Sequence, residues 1–212
     1  MEQRNVIITG IQGAGKGTQS EILRDKYGFK HISTGNMFRI QYACGSSLGI
    51  EAHKYWSIGA LVPDSITISL LKRHLSTDKN LLDGFPRTLP QAQALDDMLL
   101  ETDRFITQVI ALELSDESAL QRIEIRQTCI HCGTVYGSAK QPALPNFCDI
   151  CTAPLITRAD DTTEKARTRI ATYHSQTKPL IQLYSARDIV HHIDASLPPE
   201  QVAAHIVRAL KL

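Results

Sequence analysis

Apolar and polar positions along the chain follow two patterns that alternate. Short continuous runs rich in Val, Ile and Leu predict buried strands, and the stretches between them, with apolar residues at helical spacing, predict helices. This order favours an α/β fold, a parallel sheet with helices on both faces. The predicted strands span residues 6–9, 30–32, 80–83, 105–114 and 189–193. The predicted helices span residues 16–27, 65–76, 89–101, 115–127, 160–173 and 199–210, and Pro179 is expected to interrupt the chain after the fifth of them.

Two segments depart from this alternation, and we interpret both as insertions into one core. The first insertion, residues 33–62, is polar, contains glycine and is mostly helical in pattern. The second insertion, residues 128–161, contains four of the five cysteines. Residues 1–32, 63–127 and 162–212 then form the core, and a chain of 212 residues is long enough to bury one.

Composition narrows the class of protein without defining its chemistry. A formal net charge of +1, with 42% hydrophobic and 21% charged residues, is typical of globular proteins and gives no reason to expect a nucleic-acid partner. No apolar run approaches the roughly 20 residues that span a bilayer, and the first residues lack a leader pattern. We expect a cytoplasmic protein that binds neither membrane nor nucleic acid, and we expect it to be a monomer.

The clearest chemical motif lies between the first predicted strand and the first predicted helix. Gly10-x-x-x-x-Gly15-Lys16 has the spacing of a phosphate-binding loop, in which backbone N–H groups and the following helix N-terminus bind phosphate oxygens. Lys16 would add a positive charge near the β- and γ-phosphates. Gly17 replaces the usual Mg²⁺-binding Ser or Thr, so we expect phosphates and water to hold most of the Mg²⁺. The alternative is a glycine-rich turn without a ligand.

Paired cysteines form the second motif. Cys129 and Cys132 are separated from Cys148 and Cys151 by 15 residues, a spacing typical of a structural Zn²⁺ site with four thiolate ligands. Such a site has no open coordination position, so it predicts a structural rather than a catalytic metal. Two disulfides or a redox pair are the alternatives, and the expected cytoplasmic location disfavours both. Iron or cobalt are the other metals that such a site accepts.

Five stretches together resemble the adenylate kinase family, and they cover essentially the whole chain. They are "GAGKGTQ" at 13–19, "STGNMFR" at 33–39, "GALVPD" at 59–64, "LLDGFPRT" at 81–88, and "RADDT" at 158–162 followed by Arg169. The resemblance implies a P-loop core with a five-stranded parallel sheet. It implies reversible, Mg²⁺-dependent transfer of the ATP γ-phosphoryl group to AMP, which gives two ADP and serves adenine nucleotide homeostasis. The first insertion would be the AMP-binding arm and the second a zinc-containing lid that closes over ATP.

The resemblance also implies a role for particular residues, with Asp83 holding Mg²⁺ through water. The catalytic residues would be Lys16, Asp83, Arg87, Arg122, Arg126, Arg158 and Arg169. ATP would contact Gly13, Ala14, Gly15, Lys16, Gly17, Thr18, Arg122, Arg126, Val135, Tyr136 and Leu197. AMP would contact Thr34, Arg39, Ala60, Leu61, Val62, Gly84, Phe85, Pro86, Arg87, Gln91, Arg158 and Arg169. The metal ligands would be Cys129, Cys132, Cys148 and Cys151.

Simpler structural roles compete with some of these. Arg122 and Arg126 are four residues apart, which predicts one shared helix face, and that face could be merely solvated. Thr34 or Asn36 could cap a helix N-terminus, and Asp83 could cap a turn. Against the family pattern, Gln12 replaces a proline, Asn36 an aspartate, and Ile125 a glycine at the expected lid hinge.

Two other functions remain open at this point. A related kinase could accept UMP, CMP or GMP, although Thr34 and Gln91 favour AMP. A protein of another class, a zinc-ribbon protein that binds nucleic acid under nucleotide control, would need a basic ribbon. Residues 129–151 contain one lysine and no arginine, which disfavours it.

Overall fold

The computed structural model of the protein describes residues 4–75 and 79–212. The strands in this part of the chain are β1 (Arg4–Gly10), β2 (Lys30–Ser33), β3 (Lys79–Asp83), β4 (Gln108–Glu113), β5 (Gln127–Cys129), β6 (Val135–Tyr136), β7 (Leu155–Ile156) and β8 (Val190–Asp194). The helices are α1 (Lys16–Tyr27), α2 (Thr34–Ala43), α3 (Ser47–Trp56), α4 (Asp64–Lys72), α5 (Leu89–Leu100), α6 (Asp116–Glu124), α7 (Thr163–Thr172), α8 (Pro179–Ser185) and α9 (Pro199–Leu210). None of these helices is both long and apolar enough to cross a bilayer.

The main sheet has five strands in the order β2-β3-β1-β4-β8, and every neighbouring pair is parallel. Successive side chains of a strand point to opposite faces, and β1 shows this in the core. Val6 and Ile8 pack in one apolar cluster with residues of α1, α6, α7 and α9. Ile7 packs in another with residues of α4, α5 and α8. The predicted α/β fold, with helices on both faces, is confirmed.

Element ends differ from the sequence prediction where long-range contacts decide them. Helices 16–27 and 199–210 are confirmed at both ends, whereas α6 ends at Glu124 instead of residue 127 because the chain enters β5. The longest predicted strand, 105–114, is confined to Gln108–Glu113. Helix α7 begins at Thr163, where the hydroxyl of Thr162 accepts a hydrogen bond from the Lys165 N–H. Helix α4 ends at Lys72, so the predicted helix 65–76 is too long; residue 76 itself lies outside the described residues.

The expected interruption near Pro179 takes the form of a widened helical turn. A π-helical segment, Tyr173–Thr177, continues α7 and precedes α8. The Lys178 N–H donates to the Tyr173 carbonyl, five residues back, at 2.8 Å. Proline cannot donate a backbone hydrogen bond, so the regular helix is not continued through this point. The Thr177 hydroxyl donates to the Arg87 carbonyl at 3.1 Å, which ties this segment to the loop after β3.

The second insertion has its own small sheet and core. Strands β6, β5 and β7 form an antiparallel sheet in that order, and β5 begins at Gln127. The buried residues of its apolar cluster are Cys129, Tyr136, Cys148 and Leu155, two of them cysteines. So small an apolar core supplies little folding free energy, which gives cross-links between its strands structural importance.

Candidate active site

The loop between β1 and α1 is held tightly against the core on both sides. A Cβ atom at Gly10 would lie 2.6 Å from the Leu112 carbonyl oxygen, and one at Gly13 would lie 2.8 Å from the Ala119 carbonyl oxygen. Both glycines also have positive φ, 149° and 86°. Neither position accepts a side chain, so the loop backbone lies directly on β4 and α6. Helix α1 begins at Lys16 and directs its N-terminus at the loop.

The Lys16 ammonium group lies beneath this loop. Its Nζ donates to the carbonyl oxygens of Gly10 at 2.7 Å and Ile11 at 2.9 Å. Burial lowers the pKa of Lys16 to about 8, although the charge of Asp83 acts in the opposite direction. A phosphate placed in the loop would favour the charged form, because an anion in a buried site raises the pKa of a neighbouring amine.

Asp83 ends β3 beside the loop, as the sequence predicted. Its carboxylate lies 3.3 Å from Nε2 of His31, on the neighbouring strand β2. Burial alone would raise the pKa of Asp83, but the hydrogen bond with His31 and the charge of Lys16 hold it below its usual value. The group therefore stays an anion at the carboxyl edge of the sheet, where α/β folds bind ligands.

A network of arginines and carboxylates joins the insertions to α7. Arg126 binds both carboxylate oxygens of Asp161 through its Nε and Nη2, and Nε lies 2.8 Å from Oδ2. Arg169 lies 3.0 Å from Asp160 and 3.2 Å from Asp161, and Arg39 of the first insertion reaches Asp160 at 3.5 Å. The sequence prediction missed Asp160 and Asp161 as site residues. Their signal is the "DD" of "RADDT", two carboxylates placed among predicted phosphate-binding arginines.

The partly buried cations of this region are held in an unfavourable environment for charge. Burial, together with the charge of Arg169, lowers the pKa of Arg87 to about 10. Burial, together with Arg39, lowers the pKa of Arg158 to about 9. Because arginine remains charged near neutral pH, these shifts record the cost of packing desolvated cations together. Anions bound among them would relieve that cost.

The predicted pairing of Arg122 and Arg126 on one helix face is wrong. Arg122 lies on α6, but α6 ends at Glu124, and Arg126 follows it and turns toward Asp161. Arg122 instead reaches the phosphate loop, where its Nη1 lies 3.4 Å from the Gly13 carbonyl oxygen. The two arginines therefore approach the site from different elements.

A cleft opens between the loop, the first insertion and α7. Its walls include most of the predicted AMP contacts together with Lys16. The predicted AMP contacts that line the cleft are Thr34, Arg39, Ala60, Leu61, Val62, Gly84, Pro86, Arg87, Gln91 and Arg169. The alternative role of Thr34 or Asn36 as a helix cap is wrong: Ser33 is the N-cap of α2, and the Thr34 hydroxyl donates to the Gly84 carbonyl at 2.9 Å.

Gln91 is fixed at both ends of its amide, and one partner was not predicted. Its Nε2 donates to Oδ1 of Asp64 at 2.7 Å, and its Oε1 accepts from the Arg87 N–H at 2.8 Å. The other oxygen of Asp64 accepts from the Thr88 hydroxyl at 2.9 Å. Asp64 is the last residue of "GALVPD", but nothing in the sequence pairs it with Gln91, 27 residues later.

We expect Asp64→Asn to raise KM for AMP about fivefold to tenfold, because a mispaired amide no longer orients Gln91. KM for ATP should stay within about twofold, since Asp64 pairs with Gln91, a predicted AMP contact. Steady-state kinetics with each nucleotide varied in turn measure both values. Asp97→Asn is the matched control, because this exposed carboxylate of α5 also accepts from a glutamine amide, Nε2 of Gln93 at 2.9 Å. An unchanged KM for AMP in Asp64→Asn would contradict this role.

Some predicted contacts have side chains that face away from the cleft. Ala14 and Phe85 are buried in the two core clusters, so these residues can contact a nucleotide through their backbone only. Tyr136 is 1% exposed within the second insertion, so it can approach ATP through its backbone only. Leu197 packs against the core cluster that contains α9, and Val135 is partly exposed on β6.

The four paired cysteines lie together, as predicted. Their Sγ atoms are all within 4.8 Å of one another, and all four are free thiols. Tetrahedral coordination at Zn–S distances of about 2.3 Å places sulfurs about 3.8 Å apart, so the cluster fits a metal ion. Backbone N–H groups of His131 and Ile150 lie 3.4 Å from the sulfurs of Cys129 and Cys148, which favours thiolates there.

Tyr136 contacts this cluster directly. Its phenol oxygen accepts from the Asp149 N–H at 2.8 Å, which leaves the O–H free to donate to Sγ of Cys148 at 3.5 Å. This hydrogen bond lowers the pKa of the Cys148 thiol to about 6. A buried donor of this kind orients a metal ligand and stabilises its charged form.

Tyr136→Phe is therefore expected to weaken metal binding about tenfold or more, because it removes only the hydroxyl that contacts Cys148. Competition with a chromophoric chelator measures the affinity independently of activity. Tyr184→Phe is the matched control, since Tyr184 is equally buried but its hydroxyl has no partner among the described residues. Equal metal affinity in the wild type and Tyr136→Phe would show that the contact is unimportant.

The parallel sheet, the phosphate loop and the arginine-lined cleft define a P-loop phosphotransferase. The comparisons agree with this class and make it specific. A family model described as adenylate kinase matches residues 8–189. The chain belongs to the adenylate kinase family.

Curated relatives match almost the whole chain. The adenylate kinase of Agathobacter rectalis is 40% identical over 210 residues, which cover 97% of this chain and 98% of the relative. That of Geobacillus sp. WCH70 is 40% identical over 95% of this chain and 96% of the relative. That of Archaeoglobus fulgidus is 41% identical over 98% of each. The predicted function is confirmed: the chain is a phosphotransferase that acts on ATP, AMP and ADP.

Proposed function

We propose that the cleft holds the phosphates of two nucleotides in line, with ATP in the loop and AMP against the first insertion. The observation that carries this proposal is that Lys16, Arg39 and Gln91 line one continuous cleft. The ATP γ-phosphorus–oxygen bond breaks and a bond to an AMP phosphate oxygen forms. Phosphoryl transfer of this kind depends on positioning and charge neutralisation rather than on a protein nucleophile.

On the donor side, the loop N–H groups from Gly13 to Thr18 would bind the ATP phosphates. Lys16 would neutralise charge at the transferring group, and Arg122 and Arg126 would approach it from the other side of the loop. Mg²⁺ accompanies ATP in kinases of this kind, and it supplies charge neutralisation when bound. Asp83 would orient the water around that ion from the end of β3.

On the acceptor side, Arg39, Arg87, Arg158 and Arg169 would surround the AMP phosphate. Asp160 already contacts Arg39 and Arg169, and Asp161 contacts Arg169, so these carboxylates would hold two of the four guanidinium groups in place. Gln91 would recognise adenine, because an amide can pair with both the N6 donor and the N1 acceptor of that base. Ala60, Leu61 and Val62 would pack beside the base and ribose.

We further propose the domain roles that the sequence suggested. The core comprises residues 1–32, 63–127 and 162–212, the first insertion is the AMP-binding arm, and the second is the lid. Contacts between the insertions support a lid that covers the cleft: Arg39 reaches Asp160, and a Cβ atom at Gly133 would lie 3.9 Å from Oδ1 of Asn36. Closure would keep water away from the transferring phosphoryl group.

Zinc is the metal we propose for Cys129, Cys132, Cys148 and Cys151, because four clustered thiols favour it. A bound ion would cross-link the two Cys-x-x-Cys segments of the lid and supply folding free energy. The cytoplasmic location, the monomeric state and the lack of nucleic-acid binding stay predictions.

A parallel assay of four acceptors tests the proposed acceptor site. With ATP as donor, we expect kcat/KM for AMP to exceed the values for CMP, UMP and GMP by about 100-fold or more. Gln91→Ala should reduce this preference, because the pairing with the adenine edge is lost. A wild-type enzyme that uses two bases equally well would contradict the proposed role of Gln91.

A further inference from the structure

Trp56 is the only tryptophan of the chain, and it lines the same cleft as Arg39. It lies at the end of α3, in the first insertion. The guanidinium carbon of Arg39 lies over its indole ring, 6.0 Å from the ring centroid. A cation within about 6 Å of an aromatic centroid is attracted by the electron-rich face of the ring, and tryptophan gives the strongest attraction.

Neighbouring side chains hold the indole ring in place. The rings of Tyr42 and His53 make near-perpendicular contacts with it, with centroids 5.8 and 5.4 Å from its own. Tyr42 and His53 in turn stack on each other, with centroids 4.1 Å apart and planes 10° from parallel. Trp56 also packs against the apolar cluster that contains the buried Phe38. The ring therefore offers Arg39 a fixed surface.

The other charges near Arg39 act on it in opposite directions. Burial lowers the pKa of Arg87 and of Arg158, and the charge of Arg39 adds to both shifts, so these cations repel one another. Asp160 attracts Arg39 at 3.5 Å, but Asp160 belongs to the second insertion. Because Trp56 belongs to the same insertion as Arg39, its contact does not depend on where the second insertion lies.

We propose that the Trp56 ring positions the Arg39 guanidinium group to receive the phosphate of AMP. Trp56 is then a positioning residue, because it acts through Arg39 and not on the reacting atoms. The ring face attracts the cation without occupying its N–H donors, which stay available to phosphate oxygens. A carboxylate in the same place would compete for those donors. This inference rests on the proposed binding of the AMP phosphate at Arg39.

Two substitutions at Trp56 separate the aromatic face from apolar packing. Trp56→Leu keeps an apolar side chain without a ring, and we expect it to raise the Kd for AMP about fivefold. Trp56→Phe keeps an aromatic face, and its Kd should rise about twofold at most. Equilibrium dialysis with labelled AMP measures Kd, and thermal melting reports whether each variant folds. Wild-type affinity in the folded leucine variant would overturn the proposal.

Fluorinated tryptophans provide a readout that a purely structural role would not change. Because Trp56 is the only tryptophan, replacing tryptophan with its fluorinated forms during expression alters this position alone. Each fluorine withdraws electron density from the ring face and weakens its attraction for a cation, while the shape of the ring stays nearly the same. We expect the Kd for AMP to rise with the number of fluorine atoms. A Kd that is independent of fluorination would show that only packing matters and would overturn the proposal.

Adenosine, which lacks the phosphate, separates positioning of Arg39 from direct contact with the nucleoside. Trp56→Leu should leave the Kd for adenosine within about twofold of wild type, because Arg39 has no phosphate to bind in that complex. An equal loss of affinity for adenosine and AMP would show that Trp56 contacts the nucleoside itself, and the positioning role would be wrong.

Arg39→Met, measured in parallel, distinguishes this inference from the proposed function. It should weaken AMP binding about tenfold or more, and adding Trp56→Leu should cause no further loss, since no cation remains over the ring. Weak AMP binding in Arg39→Met with normal binding in Trp56→Leu would overturn the role of Trp56 alone. Normal AMP binding in Arg39→Met would contradict the proposed acceptor site and this inference with it. Tyr55→Leu is the matched control: Tyr55 also lies on α3 but does not line the cleft, so the Kd should not change.

Discussion

Replacing Lys16 with methionine is expected to reduce kcat by about 1,000-fold or more while the protein stays folded. The Lys16 ammonium lies under the loop, hydrogen-bonded to Gly10 and Ile11, with its pKa lowered to about 8 by burial. Methionine matches its length without a charge. The variant therefore loses the cation nearest the transferring phosphoryl group, but it removes no apolar contact from the core.

Two measurements distinguish catalysis from folding in this variant. A coupled assay gives kcat, and thermal melting should stay within a few degrees of wild type. Lys26→Met is the matched control, because Lys26 is an exposed lysine of the same helix α1 and should tolerate the change without loss of turnover. A near-normal rate in Lys16→Met would refute the assignment of this loop to ATP phosphates.

Removal of the metal proposed for the cysteine cluster should lower the melting temperature by about 10 °C and abolish most of the activity. The second insertion buries few apolar residues of its own, namely Tyr136, Leu155 and two of the cysteines. Without a metal cross-link between the two Cys-x-x-Cys segments, the small sheet of β5, β6 and β7 is expected to unfold. The second insertion would then no longer cover the cleft. Elemental analysis before and after treatment with a chelator establishes that the metal has left.

Single cysteine variants make the same test without a chelator. Cys148→Ser should lower the melting temperature. Excess Zn²⁺ should restore the melting temperature of the chelator-treated wild type but not that of this variant. Cys44→Ser is the matched control, since Cys44 is exposed and lies outside the cluster. An unchanged melt after confirmed loss of the metal would rule out a structural metal.

The central strands β1 and β4 were predictable because they contain continuous apolar runs, and burial on both faces leaves such runs few alternatives. Helix α1 was predictable at both ends, with the loop glycines before it and Gly28 after it. The end of α6 could not be predicted from the sequence. Residues 121–127 contain no proline or glycine, and the helix ends where Arg126 turns to a carboxylate 35 residues away.

Site residues also fall into those that the sequence predicts and those that it does not. Lys16 and the four clustered cysteines follow from spacing within short segments. The pairing of Asp64 with Gln91 and the turn of Tyr136 toward Cys148 depend on segments that meet only after folding. Resemblance placed Tyr136 near ATP, but packing against the cysteine cluster decides where its side chain lies.

The central claim is that the phosphates of two nucleotides meet between the loop and the acceptor arginines. A crystal structure with two adenosines joined by a chain of phosphates tests it most directly, since this ligand can occupy both sides at once. We predict that the phosphate chain of this ligand extends from Lys16 to Arg39. Arg87 and Arg169 should contact its oxygens, and one adenine should contact Gln91. Phosphates bound away from Lys16, or an empty acceptor pocket, would contradict the account.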